Sequence, residues 1–187
     1  MGLWLSESEA DDTYKTIDID AGAFIPVETA GAETDTHEYA TYDINRDAFI
    51  FSNSILQKAQ FALFMDERWD LSTIKAKMDW TSETGSTIGD TAEWGIKAVA
   101  IRDGDAIDSD FGTPQVISDA ILGTNGTDRQ LTAATPAITV GGTPDLGCVV
   151  FFEVYRNVSG TDDMGFAAWL NKVIIQYKTS ADVVTAW

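Results

Sequence analysis

Residues 149–155 read VVFFEVY, and residues 171–179 read NKVIIQYKT. In the second stretch the odd-numbered residues from 173 to 177 are apolar, and polar residues occupy much of the other side. This is the alternation of a β-strand with one buried face. The first stretch is apolar on both sides, which is typical of a central strand that is covered on both faces. Both stretches therefore predict a β protein.

The rest of the chain repeats this pattern, with short apolar runs separated by Gly, Asp, Asn and Thr. The pattern predicts strands near residues 14–20, 22–27, 36–43, 47–52, 59–65, 73–80, 92–102, 113–118, 128–140, 147–157 and 171–179. Single helical turns are expected within 53–60 and 104–110. So many short strands with few helices favour a two-sheet jelly-roll β-sandwich. We assign it to residues 13–180, with an acidic N-terminal arm at 1–12 and a C-terminal tail at 181–187.

The charge is strongly negative, with 12 basic residues against 30 acidic ones and a formal net charge of −18. Nucleic-acid affinity comes mainly from lysine and arginine on phosphates, so DNA or RNA is not expected as a partner. No apolar run of about 18 residues occurs, and no membrane association is expected. Cys148 and His37 are the only residues of their types. Metal sites built on cysteine or on several histidines are therefore excluded.

The loop RDGDAIDSD (102–110) is the strongest candidate for a metal site. It holds four carboxylates of the kind that Ca²⁺ prefers, at Asp103, Asp105, Asp108 and Asp110. Its spacing does not fit an EF-hand, because the twelfth position from Asp103 is Pro114 instead of a glutamate. The favoured interpretation is a turn at Gly104 that the aspartates cap. Calcium is the alternative, and otherwise we expect no cofactor.

Apolar residues at both ends of the chain predict contacts with a partner. The arm begins MGLWLSESEADD, so Leu3, Trp4 and Leu5 form an apolar tip ahead of an acidic spacer, and the tail ends in Trp187. Such residues suit contacts with a neighbouring subunit. Trp69, in the turn DERWDLS, has two interpretations: an exposed ring that contacts a glycan, or a plug at one end of the sandwich.

Nothing in the sequence indicates catalysis. It has no nucleophile elbow, no phosphate-binding loop and no dinucleotide fingerprint. With 30 acidic residues, some pair of carboxylates at glycosidase spacing is expected by chance. We therefore predict a protein that is not an enzyme.

Three segments together resemble a known family. They are FALFMDERWDLSTIKAKMDWTSETG (61–85), WGIKAVAIRDGDAIDSDFGTPQVISD (94–119) and LTAATPAITVGGTPDLGCVVFFEVYRNVSGTDDMGFAAWLNKVIIQYK (131–178). The set is similar to small jelly-roll structural proteins of tailed-bacteriophage virions, over roughly residues 22–179. The shared features are the Trp-rich turn, the DGD loop, and the VYR strand followed by an acidic loop.

The resemblance implies a non-catalytic virion protein. The expected role is a capsid decoration or cement protein on the outer head surface, which binds the major capsid protein and neighbouring copies as a homo-oligomer, most simply a trimer. The alternative is a tail or head-fibre module that binds glycans of the host surface. Either role places the protein in the virion after synthesis in the host cytoplasm.

Overall fold

The computed structural model describes residues 13–123 and 128–180. The strands in these residues are β1 (Thr13–Asp20), β2 (Ile25–Pro26), β3 (Glu33–Tyr39), β4 (Ile44–Phe51), β5 (Lys58–Phe64), β6 (Lys75–Ser82), β7 (Thr91–Ile101), β8 (Gln115–Ala120), β9 (Gln130–Leu131), β10 (Gly141–Gly142), β11 (Val149–Arg156) and β12 (Ala168–Thr179). One 3₁₀ turn, Ala21–Ala23, follows β1. Nowhere in the described residues is there a helix of sufficient length and apolarity to cross a membrane.

The strands form two sheets of six, as predicted for a jelly-roll β-sandwich. The first sheet has the order β3-β4-β12-β6-β9, and β1 also pairs with β12. The second sheet has the order β10-β7-β11-β5-β2, and β8 also pairs with β7. The neighbours of β11 on its two sides are β5 and β7, both antiparallel, which confirms that VVFFEVY is a central strand.

The core lies between the sheets and is rich in aromatic rings. Phe61 of β5 stacks on Phe152 of β11 with ring centroids 4.8 Å apart. Trp80 of the first sheet meets Trp94 of the second at 6.0 Å in an edge-on arrangement. All four side chains are buried. Aromatic pairs of this kind add about 0.5–1.5 kcal/mol beyond the burial of their area, so these contacts hold the two sheets together.

The prediction of a long strand over 128–140 is wrong. Only the two-residue strand β9 forms there, and the chain beyond it follows β6 without regular pairing. The backbone nitrogens of Met78 and Ala76 instead donate to the side-chain oxygens of Thr132 and Thr135, at 3.0 and 3.1 Å. The threonine hydroxyls thus satisfy the edge of β6 in place of a strand.

Three smaller predictions also differ from the structure. The strand expected at 22–27 shrinks to two residues, because the 3₁₀ turn occupies its start. Residues 53–57 and 103–110 contain turns and bends but no helical turn. The expected arm and tail, residues 1–12 and 181–187, lie outside the described residues, so the predicted domain limits stay predictions.

Candidate functional site

Four of the predicted contact residues, Leu3, Trp4, Leu5 and Trp187, lie outside the described residues. Their role in binding a partner stays a prediction. The remaining candidates, Trp69 and the aspartates of the 102–110 loop, are all described.

Trp69 lies inside the sandwich. Its side chain is 1% exposed and belongs to the hydrophobic core. An isolated β-bridge to Thr179 fixes it beside the end of β12. The prediction of a partly exposed ring is wrong: Trp69 closes one end of the sandwich, and a sugar cannot stack on it in this conformation.

In the 102–110 loop, Asp105 caps the turn. The Asp105 carboxylate accepts hydrogen bonds from the Arg102 backbone nitrogen at 3.1 Å and from its Nε at 3.0 Å. The side-chain hydrogen bonds of Arg102 lower the pKa of Asp105. Gly104 has φ of +83°, a left-handed conformation that suits glycine in a tight turn. Across residues 13–123 and 128–180, no three His, Cys, Asp or Glu side chains are grouped to hold a metal.

This geometry predicts that the protein is indifferent to calcium. Because Asp105 is already paired with Arg102, a chelator should leave the melting temperature unchanged. We expect equal melting curves with EDTA and with added Ca²⁺, measured by circular dichroism. A drop in melting temperature with EDTA that Asp105→Asn abolishes would contradict the capped turn.

A large groove lies on the outer face of the second sheet. It has a volume of about 810 Å³ and lies over β5, β11 and β7. Residues 108–114, the end of the aspartate loop, form one side of it. Its lining also includes Lys58, Lys97, Glu153 and Tyr155. We call this cavity the second-sheet groove.

Glu153 lies at the bottom of the second-sheet groove and is 5% exposed. Its Oε1 is 3.1 Å from Nζ of Lys58 and 3.0 Å from Nζ of Lys97, while its Oε2 accepts a hydrogen bond from Gln60 at 2.9 Å. The two lysines are not aligned for hydrogen bonds, so Oε1 has no well-directed donor. Oε1 itself is closed off from solvent, so a ligand in the groove would meet the lysine ammonium groups and the Tyr155 ring instead of this oxygen.

Glu153 is ionised at neutral pH. Removal from water raises the pKa of its carboxyl, but the contacts of Gln60, Lys97 and Lys58 outweigh this effect. The pKa of Glu153 is therefore below its ordinary value. A carboxylate in this state accepts hydrogen bonds and does not serve as a general acid at pH 7.

Tyr155 supplies an aromatic ring to the groove. It pairs with Gly95 of β7, and a Cβ on Gly95 would lie only 2.2 Å from Cζ of the tyrosine ring. The ring therefore lies against the bare backbone of β7, and only glycine leaves room for it. Burial, and then the charges of Glu153 and Glu93, raise the pKa of Tyr155, so its hydroxyl stays protonated.

The side of the groove formed by residues 108–114 is anchored to β7. The Gly112 nitrogen donates to the Ala98 carbonyl at 2.9 Å. Nζ of Lys97 lies 4.8 Å from the centroid of the Phe111 ring, a cation–π distance. Both contacts hold Phe111 beside the charged residues at the bottom of the groove.

A polar network closes the end of the groove at Asn157. The Glu93 carboxylate accepts hydrogen bonds from Asn157, Thr161 and Ser118. Burial raises the pKa of Glu93, but these hydrogen bonds outweigh it and the pKa is lowered. They tie the loop after β11 to the sheet and so fix the position of Asn157.

Sequence reasoning missed this groove. One feature pointed to it: Glu153 is the single charged residue within the apolar run VVFFEVY. A buried charge in a strand needs partners, which makes it a site candidate. The partners themselves lie far away in the sequence, on β5 and β7.

No protein-family model matches the chain, and no curated protein sequence matches it. Among solved structures, the xylan-binding domain of carbohydrate-binding module family 22 is 12% identical to this chain. The match covers 88% of this chain and 91% of the xylan-binding domain, with a TM-score of 0.42. The family 11 carbohydrate-binding module from Clostridium thermocellum is 13% identical, and the match covers 91% of this chain and 92% of the module, with a TM-score of 0.40. An infectious bursal disease virus structure is 10% identical, and the match covers 98% of this chain and 37% of the viral chain, with a TM-score of 0.36. At such similarity no ligand or role follows from these structures.

Proposed function

We propose that the protein is a non-enzymatic virion component whose second-sheet groove binds a polysaccharide of the host surface. The observation that carries this proposal is the Glu153 carboxylate at the bottom of the groove. It holds the ammonium groups of Lys58 and Lys97 in place in the groove, and Tyr155 and Phe111 also line it. A sugar needs such a combination, because its hydroxyls bind polar groups while its C–H faces pack on aromatic rings.

The charges of the groove favour a neutral ligand over a strongly charged one. Lys58 and Lys97 are balanced by Glu153, and Asp108 and Asp110 also line the cavity. An anion gains little from such a lining, since the positive charges are already neutralised. Ion-paired side chains remain good hydrogen-bond partners for hydroxyl groups.

Glycan binding predicts a loss of affinity on removal of the tyrosine ring. Tyr155→Ala should weaken the best ligand from an array of bacterial surface polysaccharides at least about tenfold, measured by calorimetry. Tyr42→Ala is the matched control, because Tyr42 is 82% exposed in the turn after β3, in the first sheet. The control should bind normally. Equal affinity of both variants, or no binding by the parent protein to any glycan, would contradict the proposal.

Capsid decoration is a second proposal, and the family resemblance and the charge of −18 support it. An acidic protein suits the outside of a DNA-filled shell better than its interior. In this role the apolar tip of residues 1–12 would bind an adjacent subunit or the capsid.

Deletion of residues 1–12 should then leave a folded sandwich that no longer binds capsids. Capsid occupancy after co-sedimentation measures this, and circular dichroism checks the fold. Occupancy equal to that of the full chain would contradict a role for the arm. Copy number per virion separates the two proposals, since hundreds of copies indicate the head and a handful indicates a tail or fibre.

A further inference from the structure

The outer face of the second sheet changes from polar to apolar along β11. Paired residues of antiparallel strands point to the same face, so the register divides the outward side chains of β5, β11 and β7 into rows. Two rows, centred on Tyr155 and Glu153, contribute to the second-sheet groove. The next two rows along β11 contain apolar residues alone: Ala62, Phe151 and Val99, and then Phe64, Val149 and Ile101.

Most of these apolar side chains are accessible. Phe64 is 60% exposed, Ala62 is also exposed, and Phe151 and Val149 are half-buried, whereas the two β7 residues are buried. Ile25 of β2 adds to the surface, because it pairs with β5 on the same face and is 69% exposed. We call Ile25, Ala62, Phe64, Val149 and Phe151 the apolar strip. A cluster of exposed apolar side chains on one face marks a binding surface.

The apolar strip is held in place by the sheet. Phe151 lies on the central strand and has a paired strand on each side. The Phe64 ring lies against the loop before β11, because a Cβ on Gly147 would be 3.7 Å from its Cζ. A surface that is already ordered loses little conformational entropy when a ligand binds.

The strip and the second-sheet groove form one continuous surface. Phe151 lies two residues from Glu153 on β11, about 7 Å along the strand. From Tyr155 to Val149 the surface measures about 20 Å. A single sugar in the groove does not reach the strip, whereas a polysaccharide that runs along β11 contacts both.

We propose that the polysaccharide in the second-sheet groove continues onto the apolar strip and places there a sugar unit that bears a methyl group, as a 6-deoxy sugar or as an O-acetyl substituent. This inference rests on the glycan binding proposed above and names the chemical class of the glycan.

Hydrogen bonding is the reason for a methyl group. The side chains of the strip are hydrocarbon, so a hydroxyl that is pressed against them loses water and gains no partner. A methyl group has no hydrogen bond to lose, and its burial against Phe64 or Ile25 is favourable. The strip therefore selects the methyl-bearing unit over a fully hydroxylated one.

A polysaccharide fits this surface better than a second copy of the chain does. A stable protein interface takes about 20–30 residues on each side, whereas the strip consists of five side chains. Each copy also carries a formal charge of −18, which opposes contact between two copies. A neutral glycan avoids this repulsion.

An array of bacterial surface polysaccharides tests the proposal with the full-length chain. Each polysaccharide is printed before and after mild alkali, which removes O-acetyl groups and leaves 6-deoxy sugars. We expect the bound polysaccharides to contain one of these two groups. Alkali should weaken binding at least about tenfold where the methyl group belongs to an O-acetyl substituent, and should leave binding unchanged where it belongs to a 6-deoxy sugar.

Variants of the strip locate the contact. Phe64→Ser should weaken the best polysaccharide at least about tenfold in calorimetry, and Ile25→Ser, on another strand, should weaken it in the same direction. Both side chains are exposed, so the melting curves should stay normal. Ile44→Ser is the matched control, because Ile44 is about as exposed as Phe64 but lies on β4 of the first sheet. The control should bind like the parent.

The outcomes separate this inference from the proposed function. A parent chain that binds no polysaccharide would overturn both. Binding that falls in Tyr155→Ala but stays normal in Phe64→Ser and Ile25→Ser would overturn the strip alone. Loss of binding in the strip variants to a polysaccharide without 6-deoxy or O-acetyl groups would overturn the methyl selectivity. A parent dimer that Phe64→Ser converts to a monomer in sedimentation velocity would assign the strip to a second copy.

Discussion

Arg156→Met is expected to lower the free energy of unfolding by about 3–5 kcal/mol, the range for removing one partner of a buried ion pair. The Arg156 side chain is fully buried, at 0% exposure. Its guanidinium donates to both oxygens of Asp162 at 2.7 Å, and to the carbonyls of Phe166 and Met164 at 2.6 and 2.7 Å. Methionine fills a similar volume but leaves a buried carboxylate and two carbonyl groups without these donors.

Urea unfolding of the variant and of a matched control measures this loss. Arg102→Met removes a similar arginine–aspartate pair, but the side chain of Arg102 is 41% exposed. We therefore expect the control to lose at most about 1 kcal/mol. Removal of both charges, in Arg156→Met with Asp162→Leu, should recover part of the loss because no buried charge then lacks a partner. Equal losses in the Arg156 and Arg102 variants would contradict this account.

The loop after β11 shows what depends on Arg156. Asp162 also accepts a hydrogen bond from the Glu93 backbone nitrogen at 3.0 Å, and Asp163 accepts one from the Thr91 nitrogen at 2.6 Å. The acidic pair of this loop is thus a structural tie to β7. The same tie positions Asn157 at the end of the second-sheet groove.

Alternation of apolar residues was sufficient to predict most strands. Residues 14–20, 59–65 and 171–179 lie within one or a few residues of β1, β5 and β12. In these strands one side faces the core and the other faces water, and this difference is visible in a single sequence. Prediction of strands from apolar alternation failed over 128–140. The threonine hydroxyls there bind the edge of β6, and the apolar residues pack without strand pairing.

The candidate site was much less predictable. The contact between Gly95 and Tyr155 depends on the register of β7 against β11, which local sequence does not specify. The contacts of Lys58 and Lys97 with Glu153 depend on strand register in the same way, because the three residues come from three strands. Trp69 is the opposite case: the sequence allows an exposed ring or a plug at the end of the sandwich, and the burial of the side chain decides for the plug.

Gly95→Ala is expected to weaken glycan binding while the sandwich stays folded. The new Cβ would lie 2.2 Å from Cζ and 2.6 Å from the hydroxyl of Tyr155, far closer than van der Waals contact allows. The tyrosine ring is a side chain at the edge of a groove, so it can swing away at a cost of about 1–3 kcal/mol. Its displacement would remove the aromatic surface from the groove, and affinity should fall at least about tenfold.

Two further variants make this test specific. Gly165→Ala is the matched control, because a Cβ at Gly165 meets no atom within 4 Å, and both its stability and its affinity should stay normal. The double variant Gly95→Ala with Tyr155→Ala should regain the stability lost by Gly95→Ala, since the clash is gone, but should not regain binding. Such non-additivity is expected only for residues in direct contact. Calorimetry for affinity and thermal melting for stability separate the two effects, and normal glycan affinity in Gly95→Ala would show that the ligand does not contact Tyr155.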